Sequence, residues 1–221
     1  IWLGTQKGLY SVNPANNQIK SYFPGTEEDT ESSFLAVHQT ADRIWFGDHR
    51  GILWSFSGRT NKFEKIQLAA GTRITDIASV GNSHLIVTTA HAGFFVYSVK
   101  NRAFSEFKKN NSAALLTNNF ISVTVDSYGI AWLETDQPGV CRYRLSDNSV
   151  KHFRPKTDAV SRISVLPNFI VYEDVKKRLW INPQGGGFSR YNRQTDMLEY
   201  FYNEPGDPTS RFSNIIHSVY S

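Results

Sequence analysis

The sequence predicts an all-β fold assembled from repeated antiparallel sheets, and three observations carry that expectation. A pattern of 23 residues recurs five times along the 221-residue chain. Each copy alternates short apolar runs with polar or glycine-bearing turns, the period-2 signature of strands and not the 3.6-residue period of helices. Aromatic residues make up 14% of the chain while its mean hydropathy is −0.39, the balance of a turn-rich globular β protein and not of a disordered segment.

The copies are IWLGTQKGLYSVNPANNQIKSYF from Ile1, IWFGDHRGILWSFSGRTNKFEKI from Ile44, LIVTTAHAGFFVYSVKNRAFSEF from Leu85, AWLETDQPGVCRYRLSDNSVKHF from Ala131 and LWINPQGGGFSRYNRQTDMLEYF from Leu179. Their second positions are Trp2, Trp45, Ile86, Trp132 and Trp180, spaced by 43, 41, 46 and 48 residues. A glycine recurs at Gly8, Gly51, Gly93, Gly139 and Gly187, and the copies end on Phe23, Ile66, Phe107, Phe153 and Phe201. These shared tryptophans and glycines are expected to form the structural core of the repeat.

Each copy divides into three strands. The tryptophan segment is short and apolar. The glycine marks a tight turn, where a residue without Cβ is cheapest. An alternating strand follows, such as Gly187-Phe188-Ser189-Arg190-Tyr191, then a polar turn (Asn192 to Asp196) into the strand ending Tyr200-Phe201. Between copies lies a fourth apolar strand, at Phe34–His38, Arg73–Ala78, Phe120–Val125, Phe169–Tyr172 and Asn214–Tyr220. Four short antiparallel strands every ~40–50 residues, with no amphipathic helical stretch, define a β-propeller of four-stranded blades. Gly185-Gly186-Gly187 is then a hairpin turn; no helix follows it to present an N-terminus to a phosphate, so a phosphate cradle is excluded.

The whole chain, 1–221, is expected to be one propeller region holding about five repeats. It begins at Ile1 without Met and is expected to be a piece of a longer protein, with targeting signals outside it. Five B-C-D-A periods would close only if the segment Asn214–Tyr220 paired with Ile1–Thr5; otherwise an open arc would need a second copy to cover its ends. No run of about 18 apolar residues exists to span a membrane. The single Cys141 rules out an internal disulfide and a multi-cysteine zinc site.

The wording of the repeats resembles the two-component regulator propeller family. Ile-Trp-Leu-Gly-Thr followed by Gly-Leu, then Asn-Pro-x-x-Asn-x-Ile-x-x-Tyr, matches its repeat style. The segments from Asn203-Glu-Pro-Gly-Asp-Pro-Thr-Ser to Ser213-Asn214-Ile215-Ile216, and Leu116 to Ile121 with Asp126 and Gly129 before Trp132, are similar to its inter-blade segments. The third copy departs in having Ile86 for Trp, and Thr88, Glu134 and Asn182 replace the glycine two residues later in copies three to five. The resemblance implies a periplasmic, glycan-sensing part of a membrane-bound hybrid regulator of gut Bacteroidetes. It also implies an oligosaccharide ligand, a following periplasmic domain as partner and a histidine kinase outside this chain. Contact with the membrane would run only through segments not present here.

Antiparallel parity sorts the loops. With the linker strand as A and the tryptophan strand as B, the B–C turns and D–A linkers share one face, where propeller ligand sites commonly lie. That face carries nine bases, Lys7 to Arg211, and nine acids, Glu27 to Asp207, so a nucleic-acid funnel is not expected. Six of the bases fall in the three middle linkers with a single acid, whereas the first linker, Gly25 to Glu31, holds four acids. The candidate ligand-binding residues are therefore His49, Arg50, Arg73, His91, Lys108, Arg154 and Arg162, with an acidic sugar as one occupant and ordinary solvated loop charge as the other reading. His49 and His91 lack a third ligand for a metal. The acidic loop from Glu27 to Glu31 has no apolar surroundings to split two carboxyl pKa values. Trp54 lies off the shared register and is expected at the surface. No Ser-His-Asp order, GxSxG, HExxH or P-loop is present, so no catalysis and no cofactor are expected. The functional alternatives are a dimerisation or interaction scaffold and, from another class, a propeller enzyme resembling the streptogramin lyases.

Overall fold

The computed structural model describes residues 1–22, 33–68, 71–154, 170–182, 188–201 and 206–209. Every regular element among them is a strand. The first sheet is three-stranded, β1 (Trp2–Thr5), β2 (Gly8–Asn13) and β3 (Gln18–Tyr22). Four four-stranded sheets follow in simple meander order. They are β4 (Phe34–Gln39) to β7 (Lys62–Gln67) through β5 (Ile44–Asp48) and β6 (Ile52–Ser57), and β8 (Ile74–Val80) to β11 (Ala103–Phe107) through β9 (His84–Thr89) and β10 (Phe94–Ser98). The fourth runs β12 (Phe120–Val125), β13 (Ile130–Thr135), β14 (Val140–Arg144), β15 (Ser149–Phe153), and the fifth β16 (Ile170–Glu173), β17 (Leu179–Asn182), β18 (Phe188–Asn192), β19 (Met197–Phe201). The A, B, C and D strands expected from the repeat are thus the sheets observed. The expected strand Asn214–Tyr220, its pairing with Ile1–Thr5, the acidic linker, Arg162 and Gly187 lie outside the described residues.

By contact density the chain divides into two compact units, Ile1–Asn111 with Asn118–Val123, and Ser112–Thr117 with Thr124–Ser221. In the first unit, one core layer joins the first two sheets through Leu9, Phe34, Phe46, Trp54 and Phe56, and another joins the second and third through Trp45, Leu53, Ile74, Val87 and Phe95. In the second unit, Trp132, Val140, Leu179, Ile181 and Tyr191 form the corresponding layer. Successive side chains of a B strand therefore enter different layers: Trp45 faces one neighbour and Phe46 the other. That is why B strands read as unbroken apolar runs. Trp45 and Trp132 are buried, whereas Trp2 and Trp180 are half-buried, Trp180 with its ring stacked on Phe188 at 5.0 Å.

The recurring glycine has a steric cause. Gly93 and Gly139 adopt φ of 86° and 109°, and a Cβ on either would run into the carbonyl oxygen of Phe107 or Phe153 on the neighbouring D strand. The C–D turns share a second device: Asn17, Asn61, Arg102, Asn148 and Asp196 each take a left-handed conformation as the residue before strand D, with φ of 52–55°. At the two tryptophan-strand glycines, Gly4 and Gly47, an added Cβ would meet Phe34 and Ile74, the first residues of the next inner strand.

Trp54 corrects the sequence expectation. It is 3% exposed, not a surface residue. Strand C of the second sheet is covered on both sides, so its off-register tryptophan still lands in a core layer.

Candidate ligand site at the mouth of the inner strands

The buried carboxylates come first, because they show which charges are committed to the fold. Asp126 accepts hydrogen bonds from the N–H groups of Tyr128 and Ile130 and from the indole of Trp132. Asp174 does the same with Lys176, Arg178 and Trp180. Asp48 repeats the pattern with Arg50, Ile52 and Trp54. One carboxylate thus closes a turn at i+2 and i+4 and anchors a tryptophan at i+6, a spacing legible in the sequence. In the fourth and fifth sheets the turn joins strands A and B; in the second it joins B and C, which is how Trp54 acquires its partner. Burial opposes ionisation of Asp174, but the hydrogen bonds from Trp180, Arg178 and Lys176 outweigh it and hold the carboxyl well below the usual range. Asp48, counted by the sequence among the acids on the loop face, is fully buried and does not face a ligand.

Most arginines are committed too. Arg193 bridges Asp126 at 2.9 Å and Glu173 at 3.0 Å, with its guanidinium 4.0 Å from the Tyr128 ring centroid. Arg142 meets Asp196 at 2.8 Å, where the Tyr191 hydroxyl also donates. Arg43 and Arg102 converge on Glu64. Among the described residues, Arg73 and Arg154 are the arginines whose guanidinium has no hydrogen-bond or ion-pair partner.

Arg73 lines a cavity of about 280 Å³ at the end of the first unit where linkers enter the inner strands, together with Leu35, Thr75, Asn119, Phe120 and Ile121. The positions are related: Leu35, Thr75 and Ile121 are each the second residue of an inner strand, β4, β8 and β12. Two of them sit at β-bulges, where the ladder shifts between Phe34 and Ala36 and again between Ile74 and Asp76. A bulge re-aims its extra side chain out of the alternation. Leu35 is 51% and Ile121 41% exposed, while Phe120 is buried. The floor is tied together: the Thr75 hydroxyl donates to the Phe120 carbonyl at 2.8 Å, and the Asp76 carboxylate accepts from Val123 N–H at 2.9 Å and from Ile77 N–H at 2.8 Å. Burial raises the Asp76 carboxyl pKa, against those two N–H bonds.

The other sequence candidates are placed separately. His49 Nδ1 accepts the N–H of Ser33. Arg50 is drawn to Asp48 at 3.5 Å. The His91 amide, not its ring, bonds Thr72. Lys108 pairs with Glu106 at 2.7 Å. Arg154, in the second unit, is exposed, and its carbonyl accepts the Tyr200 hydroxyl. Of the six candidates among the described residues, only Arg73 lines this cavity. Leu35, Thr75 and Ile121 escaped sequence reading; their common strand position was the available signal.

A second cavity, about 340 Å³, opens at the strands' opposite ends beside Trp2 and Phe56; its Arg59 and Asp42 already pair at 3.4 Å.

Meandering four-stranded sheets packed face to face are the blades of a β-propeller. No protein-family model matches the chain, and no curated protein matches it in sequence. Solved structures do match. The extracellular domain of a hybrid two-component system from B. thetaiotaomicron is 19% identical, with a TM-score of 0.66 over 91% of this chain and 29% of that one. A second such domain from the same organism is 17% identical, with a TM-score of 0.53 over 93% of this chain and 34% of that one. Virginiamycin B lyase from Staphylococcus aureus is 14% identical, with a TM-score of 0.62 over 88% of this chain and 62% of the lyase. At these identities the likeness is one of fold, and the chain spans about a third of the length of the two bacterial extracellular domains. The resemblance read from the repeat wording points to the same group of proteins. No helix among the described residues is long and apolar enough to cross a membrane.

Proposed function

We propose that the chain, 1–221, is one ligand-recognition propeller region of a membrane-bound, periplasmic hybrid two-component regulator, without catalytic activity of its own. The observation that carries this reading is the cavity at the mouth of the inner strands. There the second residues of three inner strands, two of them at β-bulges, line one rim beside an arginine that no carboxylate among the described residues neutralises. The fold shared with extracellular domains of two-component systems supports the same reading. An oligosaccharide is the proposed ligand class. Binding would act by its difference in affinity between two arrangements of the propeller and the periplasmic domain that follows it, the route by which any ligand shifts a conformational equilibrium.

The test is a thermal-shift screen of the chain with neutral and acidic mono- and disaccharides. A ligand that binds the folded form alone raises the melting temperature in proportion to its saturation. At least one sugar is expected to do so; no shift with any of them would overturn the reading. Product formation from a macrocyclic lactone that disappears in His49→Ala or His91→Ala would instead establish the lyase alternative.

An interaction scaffold has one observation in its favour. The face of the first sheet turned away from the second exposes Ile1, Leu3 and Ile19 at 68%, 46% and 67%. Sedimentation of the chain across a concentration series tests it; a monomer throughout excludes a homodimer built on that face.

A further inference from the structure

We infer that the cavity around Arg73 is a subsite for a single planar carboxylate carried on a compact ring, a sugar acid being the natural form. This deepens the sensing role proposed above and rests on it. The argument begins with charge. The guanidinium of Arg73 is exposed and without a protein partner among the described residues, while nine other described arginines are ion-paired. A fork of N–H donors in that state suits a carboxylate, which can take two parallel hydrogen bonds from it.

The surroundings narrow the charge to one. Arg73 is the sole cationic side chain among the described lining residues, and the adjacent Asp76 places a carboxyl beside the floor, committed to the N–H groups of Ile77 and Val123. A dianionic phosphate would gain one cation and be repelled by that carboxylate whenever it is ionised. A monoanion fits the balance.

Shape narrows the body of the ligand. About 280 Å³ lies at the small end of ligand pockets, enough for one or two rings. Leu35 and Ile121 present apolar side chains that can cover the C–H face of a pyranose, and Thr75 and Asn119 bring hydroxyl and amide groups to the same rim. The rim is held in place: Thr75 is tethered to Phe120, and the Asn118 carbonyl accepts the N–H of Gly93 at 2.9 Å. Because Leu35, Thr75 and Ile121 occupy one strand position repeated in three blades, the site is a property of the repeat's inner rim, and Arg73 is the residue that gives it a charge preference.

Isothermal titration calorimetry of the whole chain with D-glucuronate, D-glucose and glucose 6-phosphate tests the assignment, with Arg73→Gln, Arg73→Lys and Arg154→Gln beside the parent. The expected result is that glucuronate binds more tightly than glucose or glucose 6-phosphate. Arg73→Gln should then weaken glucuronate about tenfold, Arg73→Lys less, and leave glucose unchanged. Arg154→Gln should change nothing. Since Arg73 is exposed, its replacement leaves the fold intact, and a matching melting temperature confirms that. Glucose binding as tightly as glucuronate, or an equal loss in Arg154→Gln, overturns the carboxylate subsite while leaving a sugar-sensing role standing. Tighter binding of glucose 6-phosphate overturns the single-charge argument. The absence of binding by all three sugars overturns the subsite, and failure of the wider sugar screen as well would bring down the sensing role with it.

Discussion

The buried carboxylate of Asp48 offers the sharpest test of how the second blade is held. It is fully buried, and it accepts hydrogen bonds from Ile52 N–H at 2.8 Å, Arg50 N–H at 2.9 Å and Trp54 Nε1–H at 3.3 Å. Asp48→Asn keeps one oxygen for the two backbone donors but sets an NH₂ group against the indole N–H, so two donors face each other away from water. That should cost about 1–3 kcal/mol. Asp48→Ala strands both Ile52 N–H and the indole, while Arg50 N–H is near enough to solvent to find water; two buried orphans at that rate give about 2–6 kcal/mol. Trp54→Phe removes the indole donor and keeps most of the packing, at about 1 kcal/mol, since Asp48 retains its other donors. The decisive quantity is the double variant. Asp48→Asn with Trp54→Phe removes the facing donors, so it should cost less than the sum of the singles by about 1 kcal/mol. Urea unfolding followed by intrinsic fluorescence gives the four stabilities. Amide exchange at Ile52 reports the second sheet directly, which matters in a chain of two compact units where unfolding need not be a single step. Additive losses, or an Asp48→Asn variant as stable as the parent, would refute the anchoring role.

Two further outcomes follow from the charge networks. Arg193→Ala should destabilise the second unit by about 1–3 kcal/mol, because it leaves the buried Asp126 without its ionic partner and removes the Tyr128 contact; Arg59→Ala, whose pair with Asp42 is exposed on both sides, should give no measurable change in the same urea titration. The carboxyls of Asp174 and Asp196 are held below their ordinary range: burial opposes this in both, and hydrogen bonds from Trp180 and Arg178, and from Tyr191 and Lys151, override it. Groups with depressed values stabilise the fold fully above the unfolded aspartate value of about 3.9 and lose that contribution as pH falls through the lower folded values. The urea midpoint should therefore drop below that point, and Asp174→Asn should flatten the drop; an acid limb unchanged by the substitution would contradict the assignment.

The sequence by itself determined what depends on neighbours along the chain. The strands of each blade, the glycine that turns B into C and the polar turn from C to D are local matters of alternation and backbone freedom. They recur wherever the pattern recurs, down to the left-handed residue at Asn17, Asn61, Arg102, Asn148 and Asp196. The i to i+6 spacing from Asp126 to Trp132 and from Asp174 to Trp180 was equally open to reading. What only the tertiary structure decided is which side of a strand meets another blade and which charge meets a partner. Trp54 is core because strand C of the second blade is covered on both faces. Asp48 is internal because it closes the turn before that tryptophan. Arg142 and Arg193 find carboxylates on turns of an adjacent sheet, 54 and 67 residues away in sequence, whereas Arg73 finds none among the described residues. Leu35, Thr75 and Ile121 converge only because inner strands of successive blades lie side by side, with bulges breaking the alternation at Leu35 and Thr75. Such groupings bring together residues 40 or more positions apart, Leu35 and Thr75 for example, and no local preference in either segment encodes them.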